Sequence, residues 1–241
     1  QLLANLGHTI ISPVPSLFTF NTSTQWAKEL SGIAVNASVR LLSQDGKSLK
    51  IAETAPMLFT HNGFSGPAVL RASAWGARVL AECNYRCLME VNFTAHNSEA
   101  LTYDETLLLL QDCKQHNGRK TMQNLALFDL PKRLWNALLD SAGIAPAQSW
   151  AELNKSQLRH LAEILTQCCF PIEGKATFKD EFVTAGGVKL SEINFKTYES
   201  KLHSHLYLAG EVLDIDAITG GFNFQNAWTG GYIIAENFLM K

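Results

Sequence analysis

No apolar run in this chain approaches the ~18 residues that a membrane-spanning helix requires, and no secretory leader is expected from its first residues. Neither sign of charge is in excess: 20 Lys and Arg stand against 22 Asp and Glu, a formal net charge of −2 with a pI near 6.4. That balance supplies no electrostatic reason to expect a nucleic-acid or membrane-surface partner. Cysteine is sparse and odd in number. Cys83, Cys87, Cys113, Cys168 and Cys169 lack the spacing of a zinc site, and the adjacent pair could bridge only with strain. Reduced thiols in the cytoplasm are the expected state, with no bound metal. Gly-x-Ser-x-Gly is missing, because the glycines around Ser65 stand at 63 and 66. Gly-x-Gly-x-x-Gly is missing as well. The glycines at 186–187, 220–221 and 230–231 are adjacent pairs with no third glycine at the required offset.

What is present is enough for a proper core, with 46% hydrophobic residues in a chain of 241. Gln1–Leu6 reads as the last turns of a helix, with Gly7 at its C′ position. Thr9–Ile11 reads as a short strand ending at a proline-marked exit. From Leu17 to about Phe93 the signal is mostly β. Ile33, Val35, Ala37, Val39 and Leu41 alternate with polar neighbours, Gln44–Gly46 is a hairpin turn, and Cys87, Met89, Val91 and Phe93 repeat the alternation. A helix sits between these strands, with Ser65 as N-cap, Pro67 in its first turn and Leu70, Ala74, Ala77 and Leu80 as its buried stripe. From Thr102 to about Thr166 the period becomes helical. Four short helices are expected: one capped by a Thr102/Glu105 box, one around Met122–Leu127, one opened by Pro131 and one opened by Ser156. Strands return at 175–178, 182–184 and 206–208, before a closing helix.

The chain is most informative near its end. Leu206-Tyr-Leu-Ala-Gly-Glu-Val-Leu-Asp214 is followed by Thr219-Gly-Gly-Phe-Asn-Phe-Gln225 and an apolar run to Leu239. This reads as a buried strand, an acidic turn, a glycine pair and a helix start. Gly220 and Gly221 let the backbone approach a ligand closely, and the helix beyond them offers unpaired N–H groups and a positive dipole end. An ordinary strand–turn–helix fits the same spacing.

The wording of the segment resembles FAD-dependent flavoproteins of the aminoacetone-oxidase-like and bile-acid-reductase-like family. Leu6-Gly-His8 with Pro13–Leu17, Met57–His61 with Ser65–Ala68, Lys120-Thr121 with Leu130–Leu134, Thr184–Val188 and Lys196–Ser200 fit it too, in the family's order. The resemblance implies an α+β chain: a small antiparallel β-barrel (about 16–95) and an all-α subdomain (about 100–170) make an insert, 16–173, in an FAD-binding α/β domain. Residues 1–15 and 174–241 belong to that interrupted domain. Since the family begins with the pyrophosphate-binding fingerprint, the chain reads as the C-terminal part of a longer cytoplasmic oxidoreductase of small organic molecules. The fragment alone is then expected to hold FAD weakly, with NAD(P)H as a candidate reductant. Its expected partners are a small-molecule substrate, the other half of the flavin domain and other copies of itself through exposed apolar surface. A non-catalytic binding module built on the barrel and helical subdomain is the rival reading.

The resemblance places Gly210, Glu211, Asp214, Thr219, Gly220, Gly221, Phe222, Asn223 and Phe224 at the cofactor. A helix N-terminus there would stabilise reduced, anionic flavin. Asp214, and Asp216 beside it, can equally organise the loop through local hydrogen bonds. His61 faces two readings, a substrate-side acid, base or donor near the flavin, or a loop-fixing histidine. The Thr60–Gly66 loop is expected to border the flavin site. His203 and His205, without accompanying carboxylates or thiols, are read as an exposed turn and not a metal site. Arg119, Lys120, Lys132 and Arg133 are read as a solvated face of the helical subdomain, with anion or substrate binding as the lesser reading.

Overall fold

The structure, a computed structural model, describes residues 1–96, 99–175 and 183–239. Leu2–Asn5 form a single helical turn (α1), closed by Gly7, whose N–H reaches back to Ala4. Strand β1 (Ile10–Ser16) then runs through Pro13 and Pro15 instead of stopping at Ile11. A register shift between Ile11 and Val14 leaves Pro13 out of the ladder, while Pro15 stands opposite Thr184 in a sheet of only two strands, where each strand has an open edge for a residue without an N–H.

The alternating stretch does build a closed barrel. Its strands are β2 (Phe20–Thr22), β3 (Ala34–Leu42), β4 (Ser48–Phe59), β5 (Gly63–Ser65), β6 (Cys87–Asn92) and β7 (Cys168–Lys175). They neighbour one another in the order β2-β5-β4-β3-β6-β7, and every pair is antiparallel. The β3–β4 register, from Ala34↔Leu58 to Leu42↔Ser48, buries Val35, Ala37, Val39 and Leu41 and leaves Asn36 and Arg40 outside. The turn between these strands falls at Gln44–Gly46, as expected.

Helix α2 (Gln25–Glu29) bridges β2 and β3, while α3 (Pro67–Trp75) and α4 (Ala77–Glu82) follow β5. The N-cap of α3 is Gly66, not Ser65, because Ser65 is held in the ladder opposite Leu58. The all-α subdomain holds α5 (Tyr103–His116), α6 (Lys132–Ser141) and α7 (Lys155–Thr166). The Thr102/Glu105 capping box forms. Two expectations are corrected. Around Met122 only a 3-10 turn appears, since the N–H groups of Met122 and Gln123 donate across to Gln148 and Pro146. Helix α7 is capped by Asn154 with Gln157, ahead of Ser156. One buried cluster runs through barrel and helices alike, from Phe59, Phe64 and Phe170 to Trp135, Leu138 and Trp150.

After the barrel, β8 (Val183–Val188) pairs antiparallel with β1, and β9 (Ile193–Asn194) with β10 (Glu199–Ser200). The strand expected at 175–178 starts inside β7, but 176–178, like Phe182 of the next, lie outside the described residues. Residues 206–208 are not a strand. Tyr207 makes one isolated bridge to Glu199, and Leu208 N–H donates to Tyr198. Helix α8 (Phe222–Leu239) closes the described chain. Among the described residues no helix is long and apolar enough to cross a membrane.

Candidate functional site

The glycine turn is held in place from several directions. A Cβ at Gly187 would lie 2.6 Å from the carbonyl oxygen of Val212, at φ +138°, so glycine lets residues 212–213 lie directly against β8. There Leu213 bridges in parallel with Val188, and the Asp214 N–H donates to the Val188 carbonyl at 3.0 Å. Arg78 of α4 donates to the Asp214 carboxylate and to the Ser12 carbonyl, each at 3.2 Å. The Ser16 hydroxyl donates to Asp216 at 2.9 Å. The side-chain amide of Asn223 both accepts from the Ala217 N–H and donates to the Ala217 carbonyl, at 2.9 Å each, as a neighbouring strand would.

These anchors leave the turn over a cavity of about 570 Å³. Glu211, Ile218, Thr219, Gly220, Gly221, Asn223, Phe224 and Ala227 line it, and Leu17 and Val183 complete it. The first backbone hydrogen bond of α8 runs from Gln225 N–H to Gly221, so the N–H groups of Phe222, Asn223 and Phe224 have no backbone acceptor among the described residues. Gly221 sits at φ +83°, and a Cβ on it would meet no protein atom within 4 Å. Glu211 is exposed and makes no hydrogen bond among the described residues. Open donors at the positive end of an 18-residue helix, glycines that clear the approach and apolar walls suit a flat, electron-rich ring system. The residues present fit a flavin.

Of the residues singled out from sequence, the structure brings Glu211, Thr219, Gly220, Gly221, Asn223 and Phe224 to this cavity. Gly210 is buried beside Ala227, and Phe222 is 56% exposed. Asp214 and Asp216 are engaged in anchoring, the organising role that their spacing also allowed. His61 is exposed in the turn between β4 and β5 and does not line the cavity. That turn closes on itself, the Thr60 N–H donating to Gly63 and the Gly63 N–H to the Thr60 hydroxyl, and Leu17 and Val183 stand where the Thr60–Gly66 loop was expected. Arg78 and Ser16 escaped sequence reading entirely, since nothing marks a partner 136 or 200 residues away.

A second constellation resembles a hydrolase triad and is not one. Glu192 lies 2.9 Å from His8 Nδ1, and the Ser200 hydroxyl 3.1 Å from His8 Nε2. Yet the Ser200 oxygen accepts the backbone N–H groups of Leu202 and His203, both at 3.0 Å, which occupies the lone pairs a nucleophile needs. It is a turn that ties the segment around His8 to residues 192–203. His203 contacts the Leu6 carbonyl, and no group of three potential metal ligands exists among the described residues. Burial pushes the Cys87 and Cys168 thiols up to about 12, with the neighbouring Cys83 and Cys169 adding to it.

A closed barrel with a helical companion, beside a glycine turn that opens a helix, is the architecture that the family comparison recognises as that of a flavoprotein family. The chain belongs to the HI0933-like flavoprotein family: residues 14–183 match its "HI0933-like protein barrel and H2TH domain". It is 31% identical over 238 residues to the ribosomal RNA dihydrouridine synthase of Haemophilus influenzae, which covers 98% of this chain and 54% of the relative. The 3-dehydro-bile acid delta(4,6)-reductase of Clostridium scindens is 29% identical over 232 residues, 96% of this chain and 55% of the relative. The ribosomal RNA dihydrouridine synthase of Escherichia coli is 32% identical over 184 residues, 76% of this chain and 42% of the relative. The chain spans about half the length of the curated relatives it matches.

Proposed function

We propose that this chain forms the barrel, helical subdomain and flavin-closing turn of an FAD-dependent reductase that saturates a ring carbon–carbon double bond. The observation that carries the reading is the cavity at the N-terminus of α8, lined by Gly220, Gly221, Asn223 and Phe224, where the first three N–H groups of the helix have no backbone acceptor among the described residues. When bound, FAD supplies hydride chemistry. The protein's part is to hold the ring edge with the α8 N–H groups, to favour negative charge there through the helix dipole, and to exclude water with Leu17, Ile218 and Phe224. The relatives' names support the reaction class, since a dihydrouridine synthase and a delta(4,6)-reductase both remove a ring double bond.

NAD(P)H is the reductant in this reading, and the cytoplasm its compartment. The exposed face of α8, with Phe224, Trp228 and Tyr232 four residues apart, meets the first half of the flavin domain, which also brings the pyrophosphate site. The test is the longer protein that this reading requires. Purified, it should be yellow, and NAD(P)H under anaerobic conditions should bleach it until an unsaturated substrate restores the colour. A folded, colourless protein that ignores added FAD would overturn the proposal.

A further inference from the structure

Arg71 stands in the middle of α3, half-buried, and makes no hydrogen bond or ion pair among the described residues. Its Nε is withdrawn from solvent and has no partner. A guanidinium is always charged and carries five donors, so a buried nitrogen without an acceptor is costly. The side chain lines a cavity of about 280 Å³ between α3 and strands β3 and β4. Asn36 from β3, Thr54 from β4, Pro67 from α3 and Ala95 share the wall, and no carboxylate lines it. Glu53, next to Thr54, accepts the Trp75 indole N–H at 2.6 Å and forms no ion pair among the described residues. The side chains of Asn36 and Thr54 are neutral, able to donate, and without a hydrogen bond among the described residues. Helix α3 opens on the same cavity at Pro67. Its N-cap Gly66 has no side chain to offer, and its first backbone hydrogen bond runs from Leu70 N–H to Gly66. The N–H groups of Ala68 and Val69, both fully buried residues, are left without a backbone acceptor among the described residues. The one charge at this cavity is positive, and its buried nitrogen lacks the acceptor that an anion would bring.

We propose that this cavity binds a small carboxylate, with Arg71 gripping both of its oxygens through Nε and one terminal nitrogen. The planar guanidinium matches a carboxylate in a bidentate pair, and such a pair gives Nε its acceptor. A single cation balances a single negative charge, which favours a carboxylate over a doubly charged sulfate. The Asn36 amide and the Thr54 hydroxyl are neutral donors for the remaining lone pairs. The site shares no lining residue with the α8 cavity and does not rest on the flavin reading. The carboxylate belongs to a free small acid or to an Asp or Glu side chain from the rest of a longer protein, and its chemistry is the same in both.

The probe is acetate, exchanged for chloride at constant ionic strength, with the ¹⁵N-labelled chain. The reading is the Arg71 Nε–Hε resonance, assigned by its loss in Arg71→Lys. In the wild type it should move downfield and saturate, with a dissociation constant on the order of 1–10 mM. Arg71→Lys keeps the charge but not the fork, and should weaken binding at least about tenfold, read from the Thr54 amide shift. Arg71→Gln should abolish that shift and leave the thermal midpoint in chloride in place, since the charge it removes has no partner. Sulfate should bind more weakly than acetate. In the longer protein, an Arg71 resonance already at its acetate-bound position assigns the carboxylate to the protein's own chain, and one that titrates assigns it to a free acid. Both outcomes uphold the site. No saturable shift up to about 100 mM acetate, tighter binding of sulfate, or a shift that chloride alone reproduces would each overturn the proposal. So would a collapse of the Arg71→Gln thermal midpoint, which makes Arg71 a structural group.

Discussion

The barrel with its helices and the segment around α8 are built on different scales. In the first, one buried cluster passes from Phe18 and Phe59 inside the barrel to Trp135 and Trp150 among the helices, each almost fully withdrawn from water. In the second, the buried cluster is Val188, Ile193, Tyr198, Leu208 and Leu213, and α8 buries only Gly230 of its 18 residues. The first region holds its shape by burial. The second holds its cavity-lining turn by hydrogen bonds and one ion pair, from Arg78, Ser16 and Asn223. Rigid packing thus supplies a platform, and the turn over the α8 cavity is pinned to it by a few polar contacts.

The largest test of that contrast is a truncation in each region. Trp135 is fully buried and donates from its indole N–H to the Met122 carbonyl at 2.7 Å. Trp135→Ala should cost about 3–5 kcal/mol and lower the denaturant midpoint of barrel and helices together, because they share a core. Leu213→Ala, in the small cluster, should leave that midpoint nearly in place and instead speed hydrogen exchange of the Asp214 amide. Two separate transitions in the Trp135 variant would show that the barrel and helices do not share their stability.

Next in size is the turn itself. Gly221→Val places a branched side chain at φ +83°, in space that no protein atom fills. In the longer FAD-containing protein it should lower flavin affinity at least about tenfold, as backbone strain of about 1–3 kcal/mol adds to obstruction. His61→Ala should leave flavin affinity unchanged, since His61 does not line the cavity. Flavin fluorescence titration separates the two. Smaller again is the effect at the α8 surface. Phe224 and Trp228 are 68% and 69% exposed, so Phe224→Ser with Trp228→Ser should barely move the melting temperature of this chain and should lower its weight-average mass in sedimentation if that face pairs copies of the chain. A large loss of stability would place those rings in a core.

Legibility in the sequence follows the same division. Period-two alternation at 33–41 and 87–93 revealed the barrel, and Thr102 with Glu105 revealed α5, because local rules and tertiary packing agree there. The 219–225 turn was legible from its glycines and from family wording. Reading failed where long-range pairing overrules local preference. Ser65 looks like a cap but belongs to a ladder, Met122–Leu127 looks helical but bonds across to 146–148, and residues 206–208 look like a strand but have one bridge. The polar pins at Arg78 and Ser16 carry no local signature at all.

The finest test concerns the link between the chain's first residues and the hairpin after β8. The Glu192 carboxylate accepts the Thr9 N–H at 3.0 and 3.3 Å and contacts His8 Nδ1 at 2.9 Å. These hydrogen bonds, from Thr9 first and His8 second, hold its pKa below the ordinary 4.5. A carboxylate depressed in the folded state contributes stability above its unfolded pKa and loses it as pH falls through the folded value. The link should therefore hold at neutral pH and release only in acid below about pH 4.5, with little effect on the barrel, whose core contains none of these groups. The Thr9 amide resonance reads this directly. It should titrate only as pH falls below about 4.5 in the wild type and stay flat in Glu192→Gln, which keeps an acceptor but has no proton to gain. If the wild-type amide also ignores pH in that acid range, the Glu192 contact does not hold the first residues, and the β1–β8 ladder, the His203 contact to the Leu6 carbonyl and the Ser200 contact to His8 join the two segments without it.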